Sequence, residues 1–146
     1  MDFKELNTRT LGKYFEQLLI LQLLKSDFDV FTPVLDRGID LIVKRREKEL
    51  QYFEVQVKSV RKKGGRLTIR EDFFPQSSNL FLVFFNVAEK IEVYVIPAKD
   101  VHSIFQSQIQ NKKPILRLYT TASDLEKIKG YKWNWDQDQL PEIWKI

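Results

Sequence analysis

From Gln51 to Val60 the chain reads QYFEVQVKSV, an alternation of polar and apolar side chains. Successive side chains of a strand point to opposite faces, so this period of two predicts a half-buried β-strand. Phe53, Val55 and Val57 share one face; Tyr52, Glu54, Gln56 and Lys58 share the other. A strand with one apolar face needs a sheet and a covering layer around it. Further β runs supply the sheet: Leu80 to Val87 and Ile91 to Ile96 as central strands, Ile39 to Val43 ahead of the charged KRREKE connection, and the shorter Leu67 to Arg70 and Ile115 to Tyr119.

Helices complete the layers. Asn7 or Thr8 can cap a long helix reaching about Lys25, with Leu11, Tyr14, Phe15, Leu18 and Leu19 at helical spacing. Its second half is apolar nearly all round and is expected to pack deep against the sheet, while Gly12, Lys13 and Glu16 form its polar side. FDVFTP reads as a short extended stretch and LDRG as a turn in which Asp36 and Gly38 serve the backbone. Pro97 opens a second predicted helix over Ala98 to Gln110, and Ser123 caps a third that ends at Gly130. Three tryptophans lie near the end, placed either to fold back over the sheet or to stack on bases. With 146 residues and no internal repeat, low-complexity stretch or linker, residues 1–146 are expected to form one domain of the α/β (α+β) class.

Composition excludes several chemistries. There is no cysteine and a single histidine, His102, so thiolate nucleophiles, cysteine zinc sites and mechanisms needing two imidazoles are ruled out. His102 reads as structural or exposed. The opening MDFKELNTRTLG lacks the basic head and apolar run of a signal peptide, and the apolar run around Leu18 to Leu24 is far short of the roughly 20 residues that span a bilayer. A soluble, cytoplasmic protein is expected. Its net charge of +4 is unevenly spread. Residues 44–70 hold ten Lys or Arg against Glu47, Glu49 and Glu54, a balance of +7 that leaves the remainder at −3. Lys44, Arg45, Arg46, Arg61, Lys62, Lys63 and Arg66 are candidate phosphate contacts; the competing reading is that they keep hairpin tips and sheet edges soluble.

Asp40, Glu54, Gln56 and Glu16 supply hard oxygen donors at the edges of apolar elements, the kind Mg²⁺ prefers, and Lys58 stands beside them. The stretches GKYFE at 12–16, PVLDRGIDLIV at 33–43 and FEVQVKS at 53–59 resemble the PD-(D/E)XK nuclease superfamily, with YVIPA at 94–98 also in keeping. The QVK form is similar to variants in Mrr-like restriction enzymes and in a cyanobacterial intron homing endonuclease. The resemblance implies a restriction endonuclease-like mixed central sheet flanked by helices, with Asp40, Gln56, Lys58 and Glu16 as catalytic residues. It also implies a Mg²⁺ or Mn²⁺ ion on Asp40, Gln56 and Glu16, to which Glu54 can add negative charge. Two departures stand out. Glutamine replaces the usual acid at 56, and only Glu71 to Ser78, broken by Pro75, is available where the family core has a helix.

These features point to a metal-dependent DNA endonuclease. Its single site per chain implies a homodimer or higher oligomer for cutting both strands. The alternatives are a nuclease fold that binds or assembles on DNA without turnover, and a protein-interaction module.

Overall fold

The computed structural model describes residues 3–35, 37–46, 51–135, 139–141 and 144. A six-stranded mixed sheet runs through the middle in the order β1 (Phe28–Phe31), β2 (Leu41–Arg45), β3 (Tyr52–Val60), β5 (Leu80–Asn86), β6 (Glu92–Pro97), β9 (Lys132–Trp133). Only β3 and β5 run parallel. Parallel neighbours need a crossover. Here it is made by β4 (Arg66–Arg70) and a 3-10 turn, Glu71–Phe73, so the missing helix foreseen from Pro75 is real and a strand stands in its place. β4 joins β8 (Lys113–Tyr119) and β7 (Gln106–Gln110) in a separate three-stranded antiparallel sheet.

Two cores share the central sheet. On one face α1 (Thr8–Lys25) lays Leu11, Phe15, Leu19 and Leu23 over Val55, Phe81, Val83 and Phe85. On the other, the second sheet and α2 (Ala98–Ile104) cover Val60, Leu80, Leu82 and Phe84. Strand β5 is buried at all seven positions because it is covered on both sides, which explains its unbroken apolar run. The Asn7 side chain caps α1 by accepting from the Thr10 N–H at 2.8 Å. The second half of that helix is less deeply packed than its composition suggests, for Leu21 and Leu24 are exposed. The tryptophans fold back. Trp133 and Trp144 are buried in the α1-side core, and Trp144 stacks on Phe53 at 6.0 Å, so stacking on bases is not their arrangement here.

The helix expected over Ala98 to Gln110 stops at Ile104. Phe105 turns extended and drops into the core, and Gln106–Gln110 becomes a strand paired with β8. Asn111 and Lys112 both have positive φ, 50° and 64°, which suits the two-residue turn of a tight hairpin. Their side chains are not the Asn-Gly pair that announces such a turn in a sequence. The third helix, α3 (Ala122–Lys127), is capped by Thr121 rather than Ser123. Asp124 reinforces that start by accepting from the Tyr119 N–H at 2.9 Å, a bond that holds its carboxyl below the usual range. Tyr131, half-buried and donating to Asp100 at 2.7 Å, is pushed up to about 12, by burial first and then by that acceptor.

Gly38 shows how tightly the approach to β2 is built. Its φ is +85°, and a Cβ there would lie 2.8 Å from the Phe73 Cβ. Replacing it by alanine combines left-handed strain with displacement of Phe73, and is expected to lower stability by about 2 kcal/mol in urea unfolding.

Candidate active site

The site begins where β2 leaves β3. The Asp40 N–H donates to the Val55 carbonyl at 2.9 Å, as a ladder residue does. The next ladder position differs. The Val57 N–H donates to Asp40 Oδ2 at 2.6 Å, so the carboxylate takes a bond that a strand carbonyl would otherwise accept. Strand β2 therefore begins at Leu41, later than the Ile39 expected from its β-branched run, and Asp40 is held at the seam between the strands. The paired register ends at Leu41 opposite Val55, and one residue earlier the Asp40 backbone and carboxylate bridge Val55 and Val57, the two neighbours of Gln56 on β3.

Gln56 is the most telling residue. It lies in the middle of β3, is only 6% exposed, and its Oε1 is buried with no hydrogen-bond partner among the described residues. An unsatisfied buried acceptor costs about 1–3 kcal/mol, and a bound cation or donor at Oε1 would remove that cost. Lys58 follows on the same face, half-buried, across from Phe84 of β5.

Glu16 comes from α1 and is 8% exposed. It and Asp40 line one groove of about 420 Å³, whose opposite wall is Thr32, Pro33, Val34 and Leu35. Lys13 reaches Glu16 Oε1 at 3.4 Å, an ion pair signalled in the sequence by its i,i+3 spacing but read there only as part of a polar side. Val34 is 99% exposed at the rim. The structure thus brings Asp40 to Glu16 by the groove, and beside Gln56 by its bonds to Val55 and Val57. Gln56 and Lys58 do not line the groove wall. Glu54 is opposite Ile42, one register step beyond the Asp40 level in its own side-chain series, and its N–H is tied to the Asn79 carbonyl at 2.8 Å. Among the described residues no three acids or histidines gather into one cluster. The oxygen set that does fit a hard cation is one carboxylate and one orphaned amide carbonyl, with Glu16 across the groove. Mg²⁺ commonly takes only one or two carboxylates and keeps several waters.

The basic segment divides when folded. Lys44, Arg45 and Arg46 sit at one end of β3 and Arg61, Lys62, Lys63 and Arg66 at the other, roughly 30 Å apart at strand rise. Several are engaged. Arg46 pairs with Asp27 and Asp29, each at 3.3 Å, and Arg45 lies over the Phe28 ring. Arg61 donates through Nη1 to the carbonyls of Phe3 and Leu6, anchoring the first turn of the chain, while Lys63 faces Glu89 at 3.5 Å. Lys62 and Arg66 are exposed beside Gly64 and Gly65. Asp36 and Lys48 lie outside the described residues. His102 is structural: its Nε2 donates to the Phe74 carbonyl, and its ring stacks on Phe74.

No helix among the described residues is long and apolar enough to cross a membrane. No family model matches the chain, and no curated relative matches it. Solved structures do. A Holliday junction resolvase, Hjc of the archaeal hyperthermophile Archaeoglobus fulgidus, superposes with a TM-score of 0.56 over 87% of this chain and 94% of that one, at 12% identity. The bacterial homing endonuclease I-Ssp6803I superposes with a TM-score of 0.57 over 90% of each chain, at 22% identity. The mixed sheet with flanking helices is therefore a fold shared with this resolvase and this homing endonuclease.

Proposed function

We propose that this protein is a metal-dependent endonuclease that hydrolyses phosphodiester bonds in DNA. The observation that carries the reading is the buried Oε1 of Gln56, unpartnered among the described residues, between the Val55 and Val57 backbone groups that Asp40 binds. The fold shared with a resolvase and a homing endonuclease supports it. In this reading Gln56-Val57-Lys58 is a glutamine variant of the metal-binding strand, of the kind found in Mrr-like enzymes. Asp40 and Gln56 would hold Mg²⁺ or Mn²⁺, with Glu16 acting from across the groove and Glu54 contributing only to the local negative potential. Such an ion polarises a phosphoryl oxygen and lowers the pKa of bound water.

The chain's own residues do the rest. Asp40 is held rigid by the Val57 N–H, so its charge is positioned before substrate arrives. Lys58, on the same strand face as Gln56, orients the attacking water and stabilises charge that builds on the phosphate. Lys62 and Arg66 are the basic residues of the second cluster best placed to meet the DNA backbone. One site per chain requires a homodimer or higher oligomer to cut both strands. Residues 1–146 act as one nuclease domain, and a cytoplasmic location is consistent with a DNA substrate.

A second reading has its own support. Glutamine in place of an acid, with no three-acid cluster among the described residues, favours a nuclease fold that binds DNA or assembles on it without turnover. Nicking of supercoiled and branched DNA in Mg²⁺, Mn²⁺ or EDTA separates the two. Cleavage is expected with either metal, none with EDTA, and a loss of about a hundredfold in Lys58→Ala. Binding without nicking under all conditions selects the second reading.

A further inference from the structure

The second sheet turns a polar, basic face outward. Strand alternation puts Leu67, Ile69, Leu116 and Leu118 in the core and sends Thr68, Arg117, Gln106, Gln108 and Gln110 to the other side. The three strands carry Arg66, Arg70, Lys113 and Arg117 and no acid. None of this lay in the basic segment that the sequence singled out beyond Arg66 and Arg70.

The side chains on that face are organised. Arg117 donates through Nε to Thr68 Oγ1 at 3.2 Å, through Nη1 to Gln108 Oε1 at 3.2 Å, and through Nη2 to Gln110 Oε1. Gln108 Nε2 donates in turn to Gln106 Oε1 at 3.2 Å. The network fixes the amides of Gln108 and Gln110 on one guanidinium and that of Gln106 on Gln108. The Nε2 donors of Gln106 and Gln110 are unpaired among the described residues, and both side chains are exposed. One apolar residue, Ile115, is buried on this face in register with Gln108, while the larger core lies on the opposite face.

We propose that the β7–β8 hairpin is a base-reading ribbon that enters the major groove of duplex DNA and gives the protein a sequence preference. The proposal rests on the reading of the chain as one that acts on DNA. A two-stranded antiparallel ribbon fits the major groove, and glutamine and arginine are the residue types whose paired donors and acceptors match adenine and guanine edges there. The hairpin is two-stranded where it runs beyond the β4 pairing, from Ile109 to Pro114, with Gln106, Gln108 and Arg117 on the three-stranded part behind it. Arg66, Lys113 and Arg117, with no acid on the three strands, suit a polyanion, while Arg70 is paired with Asp72 at 2.6 Å. The tight Asn111–Lys112 tip lets the ribbon be narrow. The ribbon is also tied to the candidate active site. From β8 the sheet leads through β4 to Arg70, which stacks on Phe73 at 4.1 Å, and Phe73 packs against Gly38, two residues before Asp40. A base contact on the ribbon is thus connected through packed groups to the carboxylate.

The test uses the full chain and a duplex DNA pool randomised over its centre, selected for binding in Ca²⁺ and separately in EDTA. Wild type is expected to recover a defined base pattern. The triple variant Gln106→Ala, Gln108→Ala, Gln110→Ala should lose it, with the preferred-over-random affinity ratio falling roughly 10-fold. Ile109→Ser, on the other side of the same strand, should keep the pattern. A wild-type chain that shows no base preference or no binding overturns the proposal, as does a triple variant that selects the wild-type pattern. Nicking in Mg²⁺ is scored in parallel. Preferential binding without nicking refutes the endonuclease reading and leaves the ribbon standing; nicking without base preference does the reverse.

Discussion

Asparagine at position 40 is expected to abolish nicking while leaving the protein folded. Its amide oxygen can still accept from the Val57 N–H, the bond that holds Asp40 at the seam between β2 and β3, so the strand geometry survives. What disappears is the negative charge held on the Val57 N–H, next to Gln56. Because Gln56 is neutral, Asp40 is the one formal charge that this strand pair offers a cation at that level. The rate of plasmid nicking in Mg²⁺ should fall by about a thousandfold, the upper end of what one electrostatic group contributes to a transition state. Thermal unfolding followed by circular dichroism should be little changed, and a large drop in stability would mean that the residue is structural rather than chemical.

The largest expected effect on stability is at Trp144. It is 0% exposed, lies parallel to Phe53 with an interplanar angle of 11°, and meets Phe28, Phe81 and Trp133 edge-on. Removing it leaves a cavity among rings fixed on β1, β3, β5 and β9, which cannot all collapse inward. Trp144→Ala should cost about 3–5 kcal/mol, and phenylalanine at this position should recover much of the loss. For a chain of this length the midpoint of thermal unfolding should drop by roughly 10 °C or more. Phe53 is on the strand that carries Gln56 and Lys58, so nicking should weaken as that strand loosens.

Much of this architecture was legible in local patterns. The Asn7 cap, the alternating β3, the buried β5 run and the link from Pro97 into a helix all follow from near-neighbour chemistry, and the structure has each of them. The readings that failed depended on distant partners. Gln106 to Gln110 has no strong preference of its own, and pairing with β8 together with burial of Phe105 makes it a strand. The basic segment looked like one patch because its cations are close in sequence, yet β3 holds Lys44 to Arg46 at one end and Arg61 to Lys63 at the other, and Asp27, Asp29 and Glu89 pair with Arg46 and Lys63. The candidate site was legible as residues but not as geometry. The placing of Asp40 beside Gln56 follows from its bonds to Val55 and Val57 at the end of the β2–β3 pairing, whereas the groove that joins Asp40 to Glu16 also takes in the Thr32 to Leu35 loop.

The central claim is that Asp40 and the orphaned Gln56 carbonyl hold a divalent cation. Titration of Mn²⁺ into the full chain, followed by the loss of its free-ion electron paramagnetic resonance signal, tests this without requiring turnover. Wild type should bind one ion per chain, Gln56→Leu should bind more weakly, and Asp40→Asn should not bind measurably. Equal Mn²⁺ binding by all three proteins, or none by the wild type, would contradict the account.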